Sequence, residues 1–353
     1  MSAAGNDDRA AWLPRLRVVL CAGLVLAAIV LANRLVEQLH EEPTDVLDAG
    51  SRHELSVQPF GLERTIKLPS LDVMVHVGAP VRTLDEELVD HGTAASGRDL
   101  RAPDGGSLVP ISWSFANANG NGFVDPEPIT LRLADKDESV ELESVTANRT
   151  EPSTLVTARN FVVAFEKELD NDDLRLEVEY DGLTQVLDVG SGDIDAGRAQ
   201  PLYEAERFLL TGCEIPQDNC DWDPVGDRRG LRPLLGSLIV EPVPLSAWDR
   251  KLGWADDGTL WATVPVRAYA PDARTDSGAT LLARELSALE VTLNGEHAER
   301  QEGSRSGSGS PNGNVVFVVP ADQASGRLEV RTVLTLENDQ KLSLVSRARL
   351  RPA

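Results

Sequence analysis

The sequence predicts an all-β protein in which two tandem β-sandwich domains follow a single N-terminal transmembrane helix. Three observations lead to this prediction. An uncharged apolar run lies near the N-terminus, apolar and polar residues alternate over much of the remaining chain, and strand patterns recur in the same order. The chain has 353 residues, which is enough for two domains.

The predicted transmembrane helix spans residues 17–36. Its centre reads VVLCAGLVLAAIVLA and is bracketed by Arg17 and Arg34, while crossing the hydrocarbon core takes about 20 helical residues. Because arginines precede the run and carboxylates follow it, residues 1–16 are expected in the cytoplasm and the bulk of the chain outside the plasma membrane. The alternative is a signal peptide cleaved before Asn33, which also exports the rest of the chain.

A polar segment follows at residues 37–69 and is expected to form an exposed stalk. From residue 70 onward apolar residues alternate with polar ones, as in LDVMVHV (71–77), LRLEVEY (174–180) and LEVRTVLTL (328–336). This alternation is typical of half-buried strands, and clusters of Gly, Asn, Asp and Pro between them indicate turns. Short strands at intervals of about 8–12 residues favour β-sandwiches.

Two stretches of the body resemble two later ones in the same order. DGGSLVPISWSFA, from Asp104, resembles DGTLWATVPVRAYA, from Asp257. NFVVAFEKELDNDDLRLEVEY, from Asn160, resembles NVVFVVPADQASGRLEVRTVL, from Asn314. The two offsets differ by one residue, so a single insertion between them reconciles both matches. We therefore expect two copies of one β-domain.

The second match needs no gap, and it aligns Leu174 with Leu328 so that the alternation stays in phase. The same strand face is therefore predicted to be buried in both copies. The expected domains are residues 70–190 and residues 201–353, joined by a short flexible linker at residues 191–200. The second domain begins with a segment that contains two cysteines and has no counterpart in the first.

This layout of anchor, stalk and tandem β-modules resembles the immunoglobulin-type extracytoplasmic modules of bacterial membrane-anchored cell-surface proteins. Near its end the second copy has a strand, a proline and another alternating strand, in VFVVP (316–320) followed by GRLEVR. The first copy departs from this pattern, with Glu166 in place of the proline. The resemblance implies two immunoglobulin-like sandwiches and an adhesive, sensing or accessory role, and it brings no catalytic residue.

The cysteine segment CEIPQDNCDWD (213–223) is the most distinctive local feature. Zinc sites and redox pairs favour Cys-x2-Cys spacing, whereas here six residues separate Cys213 from Cys220. Outside the cytoplasm such a pair most simply forms a disulfide. Asp221, Trp222 and Asp223 follow directly and are candidate partner-binding residues.

The stretch NANGNGFVDPEP (117–128) has oxygen-bearing side chains at the spacing of a calcium loop. The weak calcium candidates are Asn117, Asn119, Asn121 and Asp125. Pro128 stands where such a loop needs a bidentate glutamate, and Asn-Gly pairs are strong turn formers. The turn interpretation is therefore preferred, and no metal or other cofactor is predicted.

The function predicted from these features is non-catalytic binding. A net charge of −23 disfavours nucleic acid and anionic lipid surfaces, and no P-loop, nucleophile elbow or zinc-protease motif occurs. We expect a membrane-anchored extracytoplasmic binding or scaffold protein of the cell envelope, with a protein or an envelope polysaccharide as its partner. The alternatives are a hydrolase that uses paired carboxylates and an accessory subunit of an envelope transport or secretion complex.

Overall fold

β-strands form nearly all of the regular structure, which confirms the predicted all-β class. The computed structural model describes residues 45–85, 99–116, 128–146, 158–204, 207–213, 220–226, 230–234, 236–305, 311–322 and 325–352. The predicted cytoplasmic tail and transmembrane helix lie outside these ranges. Within them, no helix has the length and apolar character needed to cross a bilayer.

The strands before residue 200 are mostly short. They are β1 (Asp45–Val46), β2 (Arg52–Glu54), β3 (Leu62–Lys67), β4 (Asp72–Val77), β5 (Thr83–Leu84), β6 (Leu100–Arg101), β7 (Ser107–Ala116), β8 (Pro128–Ala134), β9 (Ser139–Thr146), β10 (Arg159–Phe165), β11 (Arg175–Tyr180), β12 (Leu183–Asp188) and β13 (Ile194–Asp195). Two 3-10 helices accompany them, at Asn171–Asp173 and Gly197–Tyr203.

The later strands include the longest of the described chain. They are β14 (Arg207–Cys213), β15 (Cys220–Asp221), β16 (Asp223–Pro224), β17 (Leu231–Leu234), β18 (Ser237–Val240), β19 (Val243–Ser246), β20 (Trp248–Asp249), β21 (Gly253–Trp254), β22 (Thr259–Tyr269), β23 (Asp272–Thr275), β24 (Thr280–Leu281), β25 (Ala283–Leu286), β26 (Glu290–Leu293), β27 (Glu296–His297), β28 (Arg300–Arg305), β29 (Pro311–Pro320), β30 (Gly326–Leu336) and β31 (Lys341–Pro352).

The strands assemble into three main sheets. Two five-stranded sheets have the orders β2-β10-β7-β4-β3 and β13-β12-β11-β8-β9. The largest sheet follows the path β15-β18-β22-β19-β14-β31-β30-β26-β27, and β29 pairs with both β22 and β28. Smaller sheets join β1, β6 and β5, then β17, β23 and β24, and finally β20 and β21.

Strand order recurs between the two halves of the chain. The order β12-β11-β8-β9 corresponds to β31-β30-β26-β27, and β10-β7-β4 corresponds to β29-β22-β18. The two sequence matches align β7 with β22, β10 with β29 and β11 with β30. The strands beside these pairs also recur in the same order, which supports the predicted repeat.

The predicted burial phase is confirmed in β11 and β30. In β11 Leu176 and Val178 are fully buried and alternate with more exposed residues. Their counterparts Val330 and Thr332 are 0% and 5% exposed. The period of two therefore holds through β11 and β30, as expected for strands that bury one face.

The described residues divide into two compact units that are interleaved along the sequence. One contains those within Met1–Pro59, Gly78–Ile111 and Asn160–Leu169, and the other those within Phe60–Val77, Ser112–Arg159 and Asp170–Ala353. The first unit has its own apolar core, formed by Leu55, Leu84, Leu100, Ala102, Leu108, Val162 and Ala164. This division does not follow the expected boundaries at residues 70–190 and 201–353, which stay a prediction.

The expected stalk at residues 37–69 is wrong for the described residues from 45 onward. β3 pairs with β4 over six residues, from Leu62↔Val77 to Lys67↔Asp72, and Ile66 is completely buried. β1 and β2 are paired as well. These strands are short and carry few apolar residues. Their sequence pattern therefore resembles that of a polar loop.

The expected flexible linker at residues 191–200 is also ordered. Ile194 of β13 pairs with Leu187 of β12, and a 3-10 helix begins at Gly197. Ala199 in that helix is fully buried. A small side chain lets this turn of backbone pack closely, so a segment with the composition of a linker forms part of the fold.

Tyr203, at the end of this helix, anchors it through a buried polar network. Its hydroxyl donates to Gln185 Oε1 at 2.7 Å and accepts from the backbone N–H of Lys67 at 3.0 Å. Gln185 is 1% exposed and donates to the Lys67 carbonyl oxygen at 2.8 Å. Burial raises the pKa of Tyr203 to about 12, because the phenolate would lose its hydration.

An aromatic cluster in the second compact unit links the β11–β12 turn to the β20–β21 hairpin. Trp248 and Trp254 are paired across the hairpin, and their indole N–H groups donate to Asp181 Oδ2 at 2.7 Å and to the Tyr180 carbonyl at 3.1 Å. The Tyr180 ring lies 5.7 Å from Trp248 and 6.3 Å from Trp254, between centroids. We call these four residues the aromatic junction.

Candidate functional site

The cysteine segment leaves strand β31 and returns to the same edge of it. Cys213 pairs with Ala348, and Asp223 pairs with Val345 of the same strand. β30 occupies the other edge along this stretch. β14 and β16, which flank the segment, therefore both pair with one edge of β31. Cys220 is 3% exposed, whereas the side chain of Cys213 lies outside the described residues, so the disulfide stays a prediction.

Trp222, a predicted partner-binding residue, is buried. It is 4% exposed, and its indole N–H donates to the backbone carbonyl of Tyr269 at 3.1 Å. The neighbouring carboxylates of Asp221 and Asp223 are exposed. A partner at this segment would therefore meet the carboxylates, while Trp222 holds the end of β22 in place.

The outer face of β22, β28 and β29 carries an open groove, which sequence reasoning missed. Its volume is about 640 Å³. It is lined by Glu241, Pro265, Val266, Arg267, Tyr269, Glu302, Gly303, Asn312, Gly313 and Asn314. We call this feature the β22–β29 groove. Its size lies within the usual range of small-molecule sites, about 300–1,000 Å³.

The strand register explains why these residues come together. Arg267 of β22 pairs with Asn312 of β29, and Asn314 of β29 pairs with both Pro265 and Glu302. Alternate residues of adjacent strands project from the same sheet face. A row of polar side chains from three strands consequently borders one surface.

The carboxylates of the groove are already paired with cations. Arg267 contacts Glu241 at 2.8 Å, and both side chains are about half exposed. Glu302 accepts from Lys251 and also contacts Arg300 at 2.7 Å. These contacts, above all the hydrogen bond from Lys251, lower the pKa of Glu302. The groove therefore combines hydrogen-bonding groups with nearly balanced charge.

Two glycines also border the groove, where β28 pairs with β29. Gly303 pairs with Gly313 in the register, and a Cβ on Gly313 would lie 1.9 Å from the Glu302 carbonyl oxygen. A side chain at this position is therefore incompatible with the strand spacing. The strands on either side of residues 306–310 are paired up to Arg305 and Pro311.

A second, smaller cavity of about 150 Å³ adjoins the groove and is partly lined by Leu289, Gln301 and Val315. It is far below the usual size of a ligand site. The weak calcium candidates Asn117, Asn119, Asn121 and Asp125 lie outside the described residues. In the part of the chain that the structure describes, no group of three or more His, Cys, Asp and Glu residues is placed to hold a metal ion.

No protein-family model matches the chain, and no curated protein matches it.

Proposed function

We propose that this chain is a membrane-anchored extracytoplasmic protein of the cell envelope with a non-catalytic binding or scaffold role. It would be built from two immunoglobulin-like β-sandwich modules. The recurring strand order supports the repeat, because the orders β10-β7-β4 and β12-β11-β8-β9, in two sheets of the first half, recur as β29-β22-β18 and β31-β30-β26-β27 within the largest sheet. The basic flank before the apolar run and the acidic flank after it support the orientation.

The observation that carries the binding role is the charge state of the β22–β29 groove. A carboxylate-dependent hydrolase needs one carboxyl group that holds a proton near neutral pH and one that does not. The cations around Glu302 lower its pKa, which makes it a poor proton donor. Glu241 contacts Arg267 at 2.8 Å and is thereby held as a hydrogen-bonding partner. Such an arrangement favours ligand recognition over acid–base chemistry.

We further propose that Cys213 and Cys220 form a disulfide that closes the loop before Trp222. The burial of Cys220 and the pairing of both flanking strands, β14 and β16, with one edge of β31 support this pairing. Non-reducing peptide mass spectrometry of exported protein should find one peptide pair joined through these cysteines. Two free thiols after export would contradict the proposal.

The location and the role can be tested together in intact cells that produce the full-length chain with a tag at each end. External protease should remove the C-terminal tag and spare the N-terminal one. Cross-linking followed by co-purification in detergent should then recover a particular envelope protein or polysaccharide. Protection of the C-terminal tag would refute the location, and recovery of no envelope component would refute the binding role.

A further inference from the structure

We propose that the β22–β29 groove binds an uncharged oligosaccharide. This inference rests on the proposed binding function and names the chemical class of its ligand. Six polar or aromatic side chains that line the groove carry the inference, namely Glu241, Arg267, Tyr269, Glu302, Asn312 and Asn314.

The lining offers donors and acceptors in the mixture that hydroxyl groups require. Arginine only donates, ionised carboxylates only accept, and the amides of Asn312 and Asn314 can do both. A sugar hydroxyl also donates and accepts, so it can bridge neighbouring groups of opposite character.

The charge balance disfavours ionic ligands. An anionic ligand would meet the carboxylates of Glu241 and Glu302 beside the single cation Arg267 among the lining residues. A cationic ligand would have to compete with the contacts that Arg267, Lys251 and Arg300 already make to those carboxylates. An uncharged ligand brings no charge that the groove must neutralise, and it does not have to displace an ion pair.

Tyr269 supplies a flat apolar surface beside these polar groups. It lies at the end of β22 and is 47% exposed, although a large aromatic side chain gains free energy by burial. An aromatic face fits the C–H face of a pyranose ring, while the phenol hydroxyl can contact the hydroxyl rim. The Trp222 indole holds the Tyr269 carbonyl at 3.1 Å, which fixes the strand end that carries this ring.

The groove is less suited to an extended peptide. It lies on a sheet face whose central strands β22 and β29 are each paired on both sides, and of its three strands β28 alone has an edge without a described partner strand. A peptide that adds a strand to a sheet needs an unpaired edge. A ligand that rests across the strands needs no such edge, because the side chains of Arg267, Asn312 and Asn314 project from the same sheet face.

The test uses the full-length protein in detergent. Gluco-, manno- and galacto-oligosaccharides serve as uncharged probes, oligouronates as anionic probes, and a library of extended peptides as the competing class. We expect an uncharged oligosaccharide to bind, and Tyr269→Ala to weaken its affinity about tenfold or more. Val318→Ala is the matched control, since Val318 is 46% exposed on β29 but lies outside the groove. This variant should bind the oligosaccharide with the same affinity as the parent protein.

Asn314→Ala provides a second groove variant should Tyr269→Ala unfold at a lower temperature than the parent protein. The inference would be overturned if the protein preferred oligouronates or peptides, or if it bound none of the probes. It would also be overturned if both groove variants bound the oligosaccharide with the affinity of the parent protein. The proposed function can survive this failure. If an envelope component co-purified equally with the parent protein and the groove variants, the groove would not be its binding site. The proposed binding role would still hold.

Discussion

Replacing Trp254 by alanine is expected to lower the free energy of unfolding by about 3–5 kcal/mol. Trp254 is 8% exposed, and its ring meets the Tyr180 ring edge-on at a centroid distance of 6.3 Å. The substitution removes this packing and leaves a cavity in the aromatic junction. It also removes the donor to the Tyr180 carbonyl, at 3.1 Å in the parent protein.

A second variant, Trp254→Phe, separates these contributions. It retains an aromatic ring but loses the indole N–H, and a typical neutral hydrogen bond contributes about 0.5–1.5 kcal/mol. With some loss of packing volume, we expect a total decrease of about 1–2 kcal/mol. The remaining difference between the alanine and phenylalanine variants would then report the packing of the ring against Tyr180.

Urea unfolding of the full-length protein, followed by tryptophan fluorescence and by circular dichroism, measures both effects. Tyr269→Ala is the control, because Tyr269 is 47% exposed and a surface substitution usually changes stability by no more than about 0.5 kcal/mol. A decrease below about 1 kcal/mol for Trp254→Ala would refute the reasoning. It would mean that the aromatic junction contributes little to the cohesion of this unit.

Two further predictions concern the Tyr203 network and the paired glycines Gly303 and Gly313. Tyr203→Phe should cost about 1–3 kcal/mol, because the backbone N–H of Lys67 loses its acceptor. The raised folded-state pKa of about 12 means that the stabilisation by Tyr203 is complete below about pH 10 and is lost as the pH rises toward 12. Unfolding measured across this range should therefore show a fall in stability that is smaller in Tyr203→Phe, and an unchanged fall would contradict the assignment. Gly313→Ala should destabilise the protein by more than about 2 kcal/mol, whereas Gly303→Ala, with its nearest contact at 3.4 Å, should cost under about 1 kcal/mol. Equal thermal shifts for the two glycine variants would show that the strand spacing at Gly313 can relax.

Some of the fold could be predicted because it depends on local pattern. Val73, Val75 and Val77 alternate with less buried residues along β4, as their spacing indicates. The pattern is visible because one face of this strand meets the core along its whole length. The same argument identified β11 and β30 and the phase that relates them.

Other parts could not be predicted, because they depend on pairing partners far away in the sequence. Ile66 is the single buried residue of the six in β3, so the strand shows little periodicity of its own. Its regular structure comes from its hydrogen bonds to β4. Similarly, Ala199 carries no pattern, and its burial follows from the packing of the 3-10 helix.

The candidate site also has one part that was visible in the local sequence and another that depends on distant strand pairing. The cysteine segment was conspicuous in sequence because unusual residues cluster there, yet its tryptophan proved to be a support for β22. The signal for the groove was present only as the alternation that places Arg267 and Tyr269 on one face of β22. That alternation does not reveal which strands will lie beside it.

The sequence by itself determined the all-β class, the burial phase of the longer strands and the recurrence of two strand patterns, because these follow from the period of apolar residues along one strand. Only the tertiary structure decided the order of the strands, the ordered segments at 45–69 and 191–200, the burial of Trp222 and the existence of the β22–β29 groove. The physical reason is that a groove is a relation between strands. Glu302 and Arg267 become neighbours only through the register of β22, β29 and β28, which no single stretch of the sequence encodes.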